Sequence, residues 1–312
     1  MVLRSMLFVP GNSMRMITKA ATTDADAIIL DLEDAVGLRD KPTARVICGS
    51  CLHALKESGM TTIVRVNALT TGATPEDLDW VVNRDLDAVM LPKAESASDI
   101  VATDDLLTLK EREKGLDAGS IALVPIIESA RGVVHAFEIA SASRRVVALA
   151  FGAGDYCRDL GRNPSFLSSD QYEILYARSQ IVNSAVAAGI MAADTVYFGL
   201  LTDKENFTKE VDRGLQMGFK GKSLIHPSQV SAVNEAFAPS PDEVDYARGA
   251  AAAFASAQAR GLGAVSFRGR MIDYMSFCQA RDLVAFADSI AQRDEQRSRR
   301  GRVSLKAYFS AD

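Results

Sequence analysis

The amino-acid sequence predicts a (β/α)8 TIM barrel followed by a C-terminal helical extension. Eight short apolar runs, rich in β-branched residues, alternate with helix-like stretches along the chain. The runs recur about every 31 residues, which is the length of a typical βα unit in such barrels. Several runs are apolar throughout, as expected of parallel strands that are buried on both faces.

The elements follow in order along the sequence. We predict strands over residues 5–9, 27–30, 62–66, 88–91, 122–127, 146–150, 194–198 and 223–225. Between them we predict helices over residues 13–22, 41–58, 75–83, 98–113, 132–142, 171–188 and 205–217. Two long helices, over about 242–260 and 274–293, follow the eighth strand and exceed what a barrel needs. The predicted organisation is a barrel over 1–237, an extension over 238–293 and a basic, disordered tail over 294–312.

Composition and charge exclude several functional classes. The chain has 312 residues, of which 48% are hydrophobic and 24% charged, so it can bury a large core. The net charge of −5 argues against nucleic acid or an anionic membrane surface as the main partner. No apolar run is long enough for a membrane span or a signal peptide. We expect a cytoplasmic protein with reduced thiols, because Cys48 and Cys51 have no second pair to complete a zinc site.

Polar and charged residues follow the predicted strands, at the edge where barrel enzymes place their active sites. They are Asp31, Glu33, Asp34, Arg65, Asn67, Lys93, Glu95, Glu128, Ser129, Asp155 and His226. A purely structural barrel needs no such concentration, although helix caps account for part of it. The sequence therefore predicts a functional site at this rim.

Two carboxylates of the rim form a candidate metal site. Glu128 and Asp155 follow adjacent strands, so their side chains are expected to converge. Two such carboxylates suit Mg²⁺, whose other coordination positions are filled by water and substrate. Alternatively, each carboxylate caps the following helix or pairs with a nearby cation, Arg131 or Arg158.

Arg65 ends a strand that is otherwise apolar, which is a costly place for an unpaired guanidinium. Its planar fork matches the carboxylate of a substrate. A structural salt bridge with Asp31, Glu33 or Asp34 is the alternative.

Two cations lie near the start of the first predicted helix. Arg15 and Lys19 are four residues apart and therefore share one face of that helix. Beside a helix start they could hold the phosphates of an anionic cofactor. A solvated charged face would have the same pattern.

Taken together, the motifs resemble those of a known family. They are RSMLFVPG at 4–11, DLEDA at 31–35, RVN at 65–67, LPK at 91–93, IE at 127–128, GAGD at 152–155, GKSLIHPSQ at 221–229 and MID at 271–273. In order and spacing they are similar to the citrate lyase β-subunit, malyl-CoA lyase and citramalyl-CoA lyase family of the HpcH/HpaI aldolase superfamily. YAR at 176–178 and FAPSP at 237–241 look most like the citramalyl-CoA lyase branch.

The resemblance implies roles for particular residues. It implies a homotrimer or hexamer that uses Mg²⁺, with Mn²⁺ as a possible substitute, and an extension that packs on the adjacent subunit. The implied roles are metal binding for Glu128 and Asp155, substrate binding for Arg65, orientation by Glu33 and Asp34, proton donation by Asp273 of the partner subunit, and coenzyme A binding by Phe8, Arg15, Lys19, Ser223, Leu224 and Ile225.

The activity that the resemblance implies is cleavage of a carbon–carbon bond in a β-hydroxyacyl-CoA, giving acetyl-CoA plus pyruvate or glyoxylate. Each step develops charge that a metal ion, an arginine and an acid would stabilise or neutralise. A malyl-CoA thioesterase, a citrate lyase β-subunit acting on a carrier-protein thioester, and a non-catalytic subunit are the alternatives. Because citrate lyase β-subunits of the family often lack the extension, its presence favours a free-standing coenzyme A enzyme.

Overall fold

The computed structural model describes residues 1–168 and 170–300 of the chain. Within them, eight parallel strands form a closed barrel in sequence order. The strands are β1 (Ser5–Pro10), β2 (Ala27–Asp31), β3 (Thr61–Arg65), β4 (Ala88–Leu91), β5 (Ala122–Ile127), β6 (Ala148–Phe151), β7 (Met191–Asp194) and β8 (Gly221–Leu224). The predicted (β/α)8 barrel is therefore confirmed.

Helices connect the strands and form the outer layer, as the βα repeat requires. They are α1 (Met14–Ala20), α2 (Lys41–Glu57), α3 (Thr74–Val81), α4 (Ala97–Glu113), α5 (Ala130–Val134), α6 (Ala136–Ser141), α7 (Ala153–Asp159), α8 (Tyr172–Ala187), α9 (Lys204–Met217) and α10 (Val230–Ala236). The helix predicted over 132–142 is divided at His135 into α5 and α6. Across the described residues, no helix is both long and apolar enough to cross a membrane.

The hydrophobic core has two layers because the strands are buried on both faces. Alternate residues, such as Leu7, Ile28 and Leu30, point outward and pack against the helices. The residues between them fill the barrel interior: Met6, Ala27, Ile29, Ile63, Ala88, Met90, Val124, Ile126, Ala148, Ala150 and Ala193. The continuous apolar runs in the sequence are explained by this two-sided burial.

The barrel closes where β1 pairs with β8. Ser5 lies opposite Lys222, and Leu7 lies opposite Leu224. At the start of β8 the backbones pass so close that a Cβ on Gly221 would lie 1.9 Å from the carbonyl oxygen of Leu3. Only glycine permits this approach.

Strand β7 differs from the prediction. The sequence favoured 194–198, because Val196, Tyr197 and Phe198 have high β-propensity, but the strand is Met191–Asp194. Neighbouring strands impose the extended conformation on Met191 and the two alanines after it. The corrected boundary moves residues 195–198 into the loop at the rim.

The extension consists of two long helices and a hairpin. These are β9 (Val265–Phe267), β10 (Arg270–Ile272), α11 (Pro241–Ala259) and α12 (Tyr274–Arg300), with α11 and α12 packed around Phe254 and Ile272. Near its end α12 contacts the barrel of its own chain, where Arg293 pairs with Asp26 at 2.8 Å and Arg297 donates to the carbonyl oxygen of Thr23 at 2.6 Å. Asp26 precedes β2, so these contacts lie at the face opposite the rim.

The end of α12 corrects the predicted start of the tail. Residues 294–300, predicted to be disordered, are helical. The rest of the predicted tail, 301–312, lies outside the described residues.

Candidate active site

Six charged side chains from five strand ends meet at the rim of the barrel. We call them the rim cluster: Asp31, Glu33, Arg65, Lys93, Glu128 and Asp155. The cluster contains four carboxylates and two cations. The predicted concentration of charge at this rim is therefore present as a connected group of side chains.

Arg65 is held by Asp31 through two parallel hydrogen bonds. Its Nε donates to Oδ1 at 2.7 Å and its Nη2 donates to Oδ2 at 2.6 Å. Burial opposes the charge, but Asp31 raises the pKa of Arg65 above its ordinary value. The guanidinium also lies 4.9 Å from the ring centre of Phe8. The structural salt bridge considered from the sequence exists, and it leaves Nη1 as the nitrogen not bonded to Asp31.

Glu33 links the two cations of the rim cluster. Its Oε1 accepts from the Nζ of Lys93 at 2.6 Å, and its Oε2 lies 3.2 Å from the Nη1 of Arg65. Within the described part of the chain, this Oε2 is buried and accepts no hydrogen bond. Burial raises the pKa of Glu33, and Arg65 and Lys93 offset that rise only in part. Asp34, by contrast, is mostly exposed and lies 3.8 Å from Arg65.

Lys93 has a left-handed backbone, with φ of 54°. This conformation costs a non-glycine residue roughly 1–2 kcal/mol. Here it directs the backbone N–H of Lys93 to the Oε1 of Glu128 at 2.7 Å, while the Nζ lies 3.8 Å from Asp155. The strained backbone thus orients one carboxylate of the candidate metal pair, and the ammonium lies close to the other.

Glu128 is 6% exposed and follows β5 directly. Burial, and then the charge of Glu33, raise the pKa of Glu128 to about 8. The carboxylate lies against the backbone of Gly152, where a Cβ would be 2.5 Å from its Oε2. Glycine at the end of β6 is therefore required by the position of the Glu128 side chain.

Two cavities open at the rim, and both are bordered by Glu128 and Asp155. One has a volume of about 450 Å³ and is lined on its apolar side by Phe151, Val196 and Phe198. The other has a volume of about 300 Å³ and extends past Lys93 and Leu69. The two carboxylates therefore lie where a ligand could occupy either space.

The residues present fit a divalent cation. With every group ionised, the four carboxylates of the rim cluster exceed its two cations by two negative charges. The ion pair of Asp155 with Arg158, considered from the sequence, is present at 3.5 Å, and the charge of the exposed Arg158 is matched by that of Asp34 beside Arg65. Burial raises the pKa values of Glu33 and Glu128, and neighbouring carboxylates raise them further, so added positive charge would favour the ionised forms of both. In residues 1–168 and 170–300, no group of three or more Asp, Glu, His or Cys residues has the arrangement of a complete metal site. Two carboxylates with open positions match Mg²⁺, which retains waters and binds substrate oxygens.

The residues predicted to bind coenzyme A divide into two groups. Phe8, Ser223 and Ile225 line the 450 Å³ cavity. The side chain of Leu224 is buried in the core instead. The side chains of Arg15 and Lys19 are exposed on α1, and neither is among the described residues that line that cavity. Three of the six predicted contacts thus border the cavity.

Asp273 lies in the extension, directly before the first residue of α12. It accepts hydrogen bonds from the backbone N–H of Ser276 at 2.9 Å and from its hydroxyl at 2.8 Å. These bonds lower the pKa of Asp273. Among the described residues that line the two rim cavities, Asp273 is not found. Within one chain, the structure does not bring it together with Glu128.

The sequence analysis missed part of the site. Thr195, Val196 and Phe198 line the 450 Å³ cavity, but the prediction had placed them inside strand seven. A signal was present, because the polar Asp194 and Thr195 follow an apolar run, as polar residues do at the other strand ends. The left-handed backbone of Lys93 had no sequence signal.

Comparisons with known proteins place the chain among described relatives. The family model for HpcH/HpaI aldolase/citrate lyase matches residues 4–227. The citrate lyase subunit beta of Leuconostoc mesenteroides subsp. cremoris is 38% identical over 286 residues, covering 92% of this chain and 93% of that protein. The L-malyl-CoA/beta-methylmalyl-CoA lyase of Cereibacter sphaeroides is 36% identical, covering 92% and 95% respectively. Both names describe lyases, which cleave carbon–carbon bonds.

One of these matches corrects an argument drawn from the sequence. The alignment of 286 residues is longer than the predicted barrel of residues 1–237, so it includes part of the extension. The extension therefore does not separate this chain from citrate lyase β-subunits, and the inference that favoured a free-standing enzyme on that ground is wrong.

Solved structures give the same family. The protein CitE from Mycobacterium tuberculosis, in complex with magnesium, acetoacetate and coenzyme A, is 31% identical; the match covers 91% of this chain and 98% of that one with a TM-score of 0.70. A citrate lyase from Burkholderia xenovorans LB400 has a TM-score of 0.80 at 19% identity, which supports the fold alone. The resemblance seen in the sequence motifs is confirmed, and the chain belongs to the HpcH/HpaI aldolase/citrate lyase family, whose members named here are carbon–carbon lyases.

Proposed function

We propose that the protein is a cytoplasmic, Mg²⁺-dependent lyase that cleaves a β-hydroxyacyl-CoA of the citramalyl-CoA or malyl-CoA type. The products would be acetyl-CoA and pyruvate or glyoxylate. The observation that carries the proposal is that Glu128 and Asp155 border both rim cavities within a cluster of excess negative charge. It is supported by the malyl-CoA lyase relative and by the magnesium and coenzyme A in the CitE complex.

Glu128 and Asp155 are the residues that would hold Mg²⁺, or Mn²⁺ in its place. When bound, the ion supplies positive charge that lowers the pKa of the substrate hydroxyl and stabilises developing negative charge. The backbone N–H of Lys93 fixes the orientation of Glu128. The Nζ of Lys93 donates to Glu33 at 2.6 Å and lies 3.8 Å from Asp155, so its hydrogen bond is to Glu33 and not to a candidate metal ligand.

Arg65 is the group that we assign to the substrate carboxylate and the thioester oxyanion. Asp31 fixes one edge of its guanidinium, which reduces the rotamer freedom that binding would otherwise cost. Arg65 lines the cavity, and we assign the substrate contact to its Nη1, which is not bonded to Asp31 and lies 3.2 Å from Glu33. In this proposal Glu33 and Asp34 act on Arg65 and do not contact the reacting atoms.

The coenzyme A moiety would extend outward from the 450 Å³ cavity. Phe8 and Ile225 provide apolar contacts, and Ser223 provides a polar contact. Because the side chain of Leu224 is buried, only its backbone is available to a ligand. Arg15 and Lys19 lie on the exposed surface of α1, outside the lining of the cavity, and in this proposal they contact the phosphates.

Protonation of the enolate is assigned to Asp273 of the partner subunit in a homotrimer or hexamer. Its hydrogen bonds to Ser276 favour the carboxylate, so an acid role requires further burial in the assembled site. Mixing Asp273→Asn protomers with Arg65→Ala protomers tests this. Some interfaces would then combine two intact residues and regain activity, whereas verified mixed oligomers without activity would refute the shared site.

The substrate is tested by incubating the purified chain with malyl-CoA, methylmalyl-CoA and citramalyl-CoA. Glyoxylate, pyruvate and free thiol are measured separately, before and after EDTA and again after added Mg²⁺. A lyase produces the oxo acid without free thiol, and its activity follows the metal. Free thiol without oxo acid would identify a thioesterase, and activity unaffected by EDTA would contradict the metal site.

A citrate lyase β-subunit is the second candidate. It is favoured by the 38% identity to the Leuconostoc mesenteroides subunit, which extends over 92% of this chain. Its substrate would be an acyl group on a carrier protein. Adding a citryl thioester of a carrier protein to the same assay, with oxaloacetate as the measured product, separates this candidate from the coenzyme A lyase.

A further inference from the structure

Helix α7, which carries Asp155, begins without a capping side chain of its own. The first backbone N–H groups of any helix have no partner inside the helix. The residue at the N-cap position is Gly152, which has no side chain to accept them. The N–H of Ala153 instead donates to the hydroxyl Oγ1 of Thr195 at 3.1 Å. A residue that follows β7 thus caps the helix that follows β6.

Thr195 is itself fixed by buried charges that we call the inner cluster: Arg178, Asp194, Glu210 and Lys222. The Nζ of Lys222, which is fully buried in β8, donates to the carbonyl oxygen of Thr195 at 2.7 Å and to Glu210 at 2.6 Å. The preceding residue, Asp194, is paired with Arg178, which donates from Nε at 3.0 Å.

The inner cluster is therefore connected to the rim through Thr195. Its backbone carbonyl accepts a hydrogen bond from Lys222. Its hydroxyl accepts one from the N–H of Ala153 at the start of α7, two residues before Asp155. Thr195 is 2% exposed, and it lies in the wall of the cavity that Glu128 and Asp155 also border. A rotation of the first turn of α7 would change the separation of those two carboxylates.

We propose that Thr195 is a positioning residue that holds the start of α7, and with it Asp155, in the geometry required by the divalent cation. This inference rests on the proposed metal site at Glu128 and Asp155. It assigns the effect to the hydroxyl as an acceptor, and not to the methyl group or to the volume of the side chain. A residue that orients a metal ligand typically contributes tenfold to a hundredfold to metal affinity.

The test compares Thr195→Val, which keeps the branched shape without the acceptor, with Thr195→Ser, which keeps the acceptor. Binding of Mn²⁺ alone is followed by its electron paramagnetic resonance signal, without substrate, and each variant is also examined by thermal unfolding. We expect the Mn²⁺ dissociation constant to rise roughly tenfold in Thr195→Val and to remain within about twofold of the parent in Thr195→Ser. If Thr195→Val does not fold, Thr195→Ala is used in its place.

The outcomes separate this inference from the proposed function. Failure of the parent protein to bind Mn²⁺ would overturn the metal site itself. Normal binding by the parent together with equal binding by Thr195→Val would overturn only the positioning role. Equal weakening in Thr195→Val and Thr195→Ser would also overturn it, because the hydroxyl would then not be the feature that matters.

Discussion

The rim cluster and the inner cluster use the same residue types in one barrel, yet their charges are balanced differently. The inner cluster has two cations and two carboxylates, and its side chains are at most 7% exposed. Burial alone would raise the pKa of Asp194, but Lys222 and Arg178 keep it below its usual range. In the rim cluster the carboxylates outnumber the cations, and the pKa of Glu128 is raised to about 8.

The comparison shows how charge balance separates the inner cluster from the rim cluster, to which we assign the metal site. A neutral, fully bonded group stabilises one arrangement of the chain and offers nothing to a ligand. A cluster with excess negative charge beside a cavity is destabilised by repulsion between its carboxylates. Binding of a cation relieves that repulsion and is therefore favoured. Charge balance, more than burial, therefore distinguishes the two clusters.

The largest effect is expected from Lys222→Met. This change leaves Asp194 and Glu210 buried with one cation fewer, so the free energy of unfolding should fall by about 3–5 kcal/mol. Chemical denaturation measures the change. Adding Glu210→Gln should restore part of the loss, because it removes the charge left unpaired. A double variant no more stable than Lys222→Met would mean that the pair is not coupled.

Glu128→Gln tests the rim cluster, where we expect a loss of activity without a loss of stability. Removing a candidate metal ligand should reduce kcat/KM by more than about a hundredfold. The free energy of unfolding should not fall, because the change removes one excess negative charge. Glu57→Gln, at an exposed position of α2, is the matched control. Stability lost to the same extent as in Lys222→Met would remove the distinction between the clusters.

Arg65→Lys tests whether Arg65 binds substrate in addition to forming its salt bridge with Asp31. Lysine keeps the charge but cannot bond to both oxygens of Asp31 and still present a donor to substrate. We expect kcat/KM to fall at least tenfold, which is about 1.4 kcal/mol. Near-normal kinetics in a stably folded variant would leave Arg65 with only its structural salt bridge.

Lys93 allows backbone and side chain to be tested separately. Lys93→Gly and Lys93→Ala both remove the ammonium, but only glycine adopts the left-handed backbone without strain. The glycine variant should be more stable by about 1 kcal/mol in denaturant unfolding. The same pair of changes at Arg268, whose φ is 46° in the hairpin of the extension, is the control away from the rim. Equal stability of the two Lys93 variants would contradict the strain.

The smallest effect is expected in acid. Because the folded-state pKa of Asp194 is lowered, its contribution to stability is present above the unfolded-state pKa, about 3.9, and is lost as the pH falls through the folded-state value. Lys222→Met removes one of the charges that lower the folded-state pKa of Asp194, so the contribution should be smaller and its loss should be complete at a higher pH than in the parent. Acid titrations of unfolding free energy at fixed ionic strength compare the two.

The barrel was predictable because its signal repeats. All eight predicted strands overlap the observed ones, since most of the apolar runs are buried on both faces, although the seventh overlaps only at Asp194. Strand β7 was misplaced because its short run, Met191 and two alanines, carries little β-propensity, whereas Val196 to Phe198 carry much. Because the predicted strand included Thr195, the sequence analysis did not identify it as a residue of the rim.

The site was predictable as a set of residue types, but not as a set of contacts. Glu128 and Asp155 were identified from their places after adjacent strands, and Arg65 from its cost in an apolar strand. Asp31 bonds to one edge of the Arg65 guanidinium because of side-chain geometry at the end of β2. The periodicity of the sequence carries no information about that geometry. The spacing of Arg15 and Lys19 fitted a phosphate site and a solvated face equally well, and both side chains are exposed.

The pairing of β1 with β8 determines when the barrel can close during synthesis of the chain. The strands on the two sides of this junction, residues 5–10 and 221–224, come from opposite ends of the barrel sequence. A nascent chain cannot close the ring until the ribosome has released β8, and until then both edge strands expose unpaired backbone groups. The 450 Å³ cavity is lined by Phe8 from one side of the junction and by Ser223 from the other. A partly synthesised chain therefore lacks part of the wall of this cavity, and its open strand edges remain available for pairing until β8 is added.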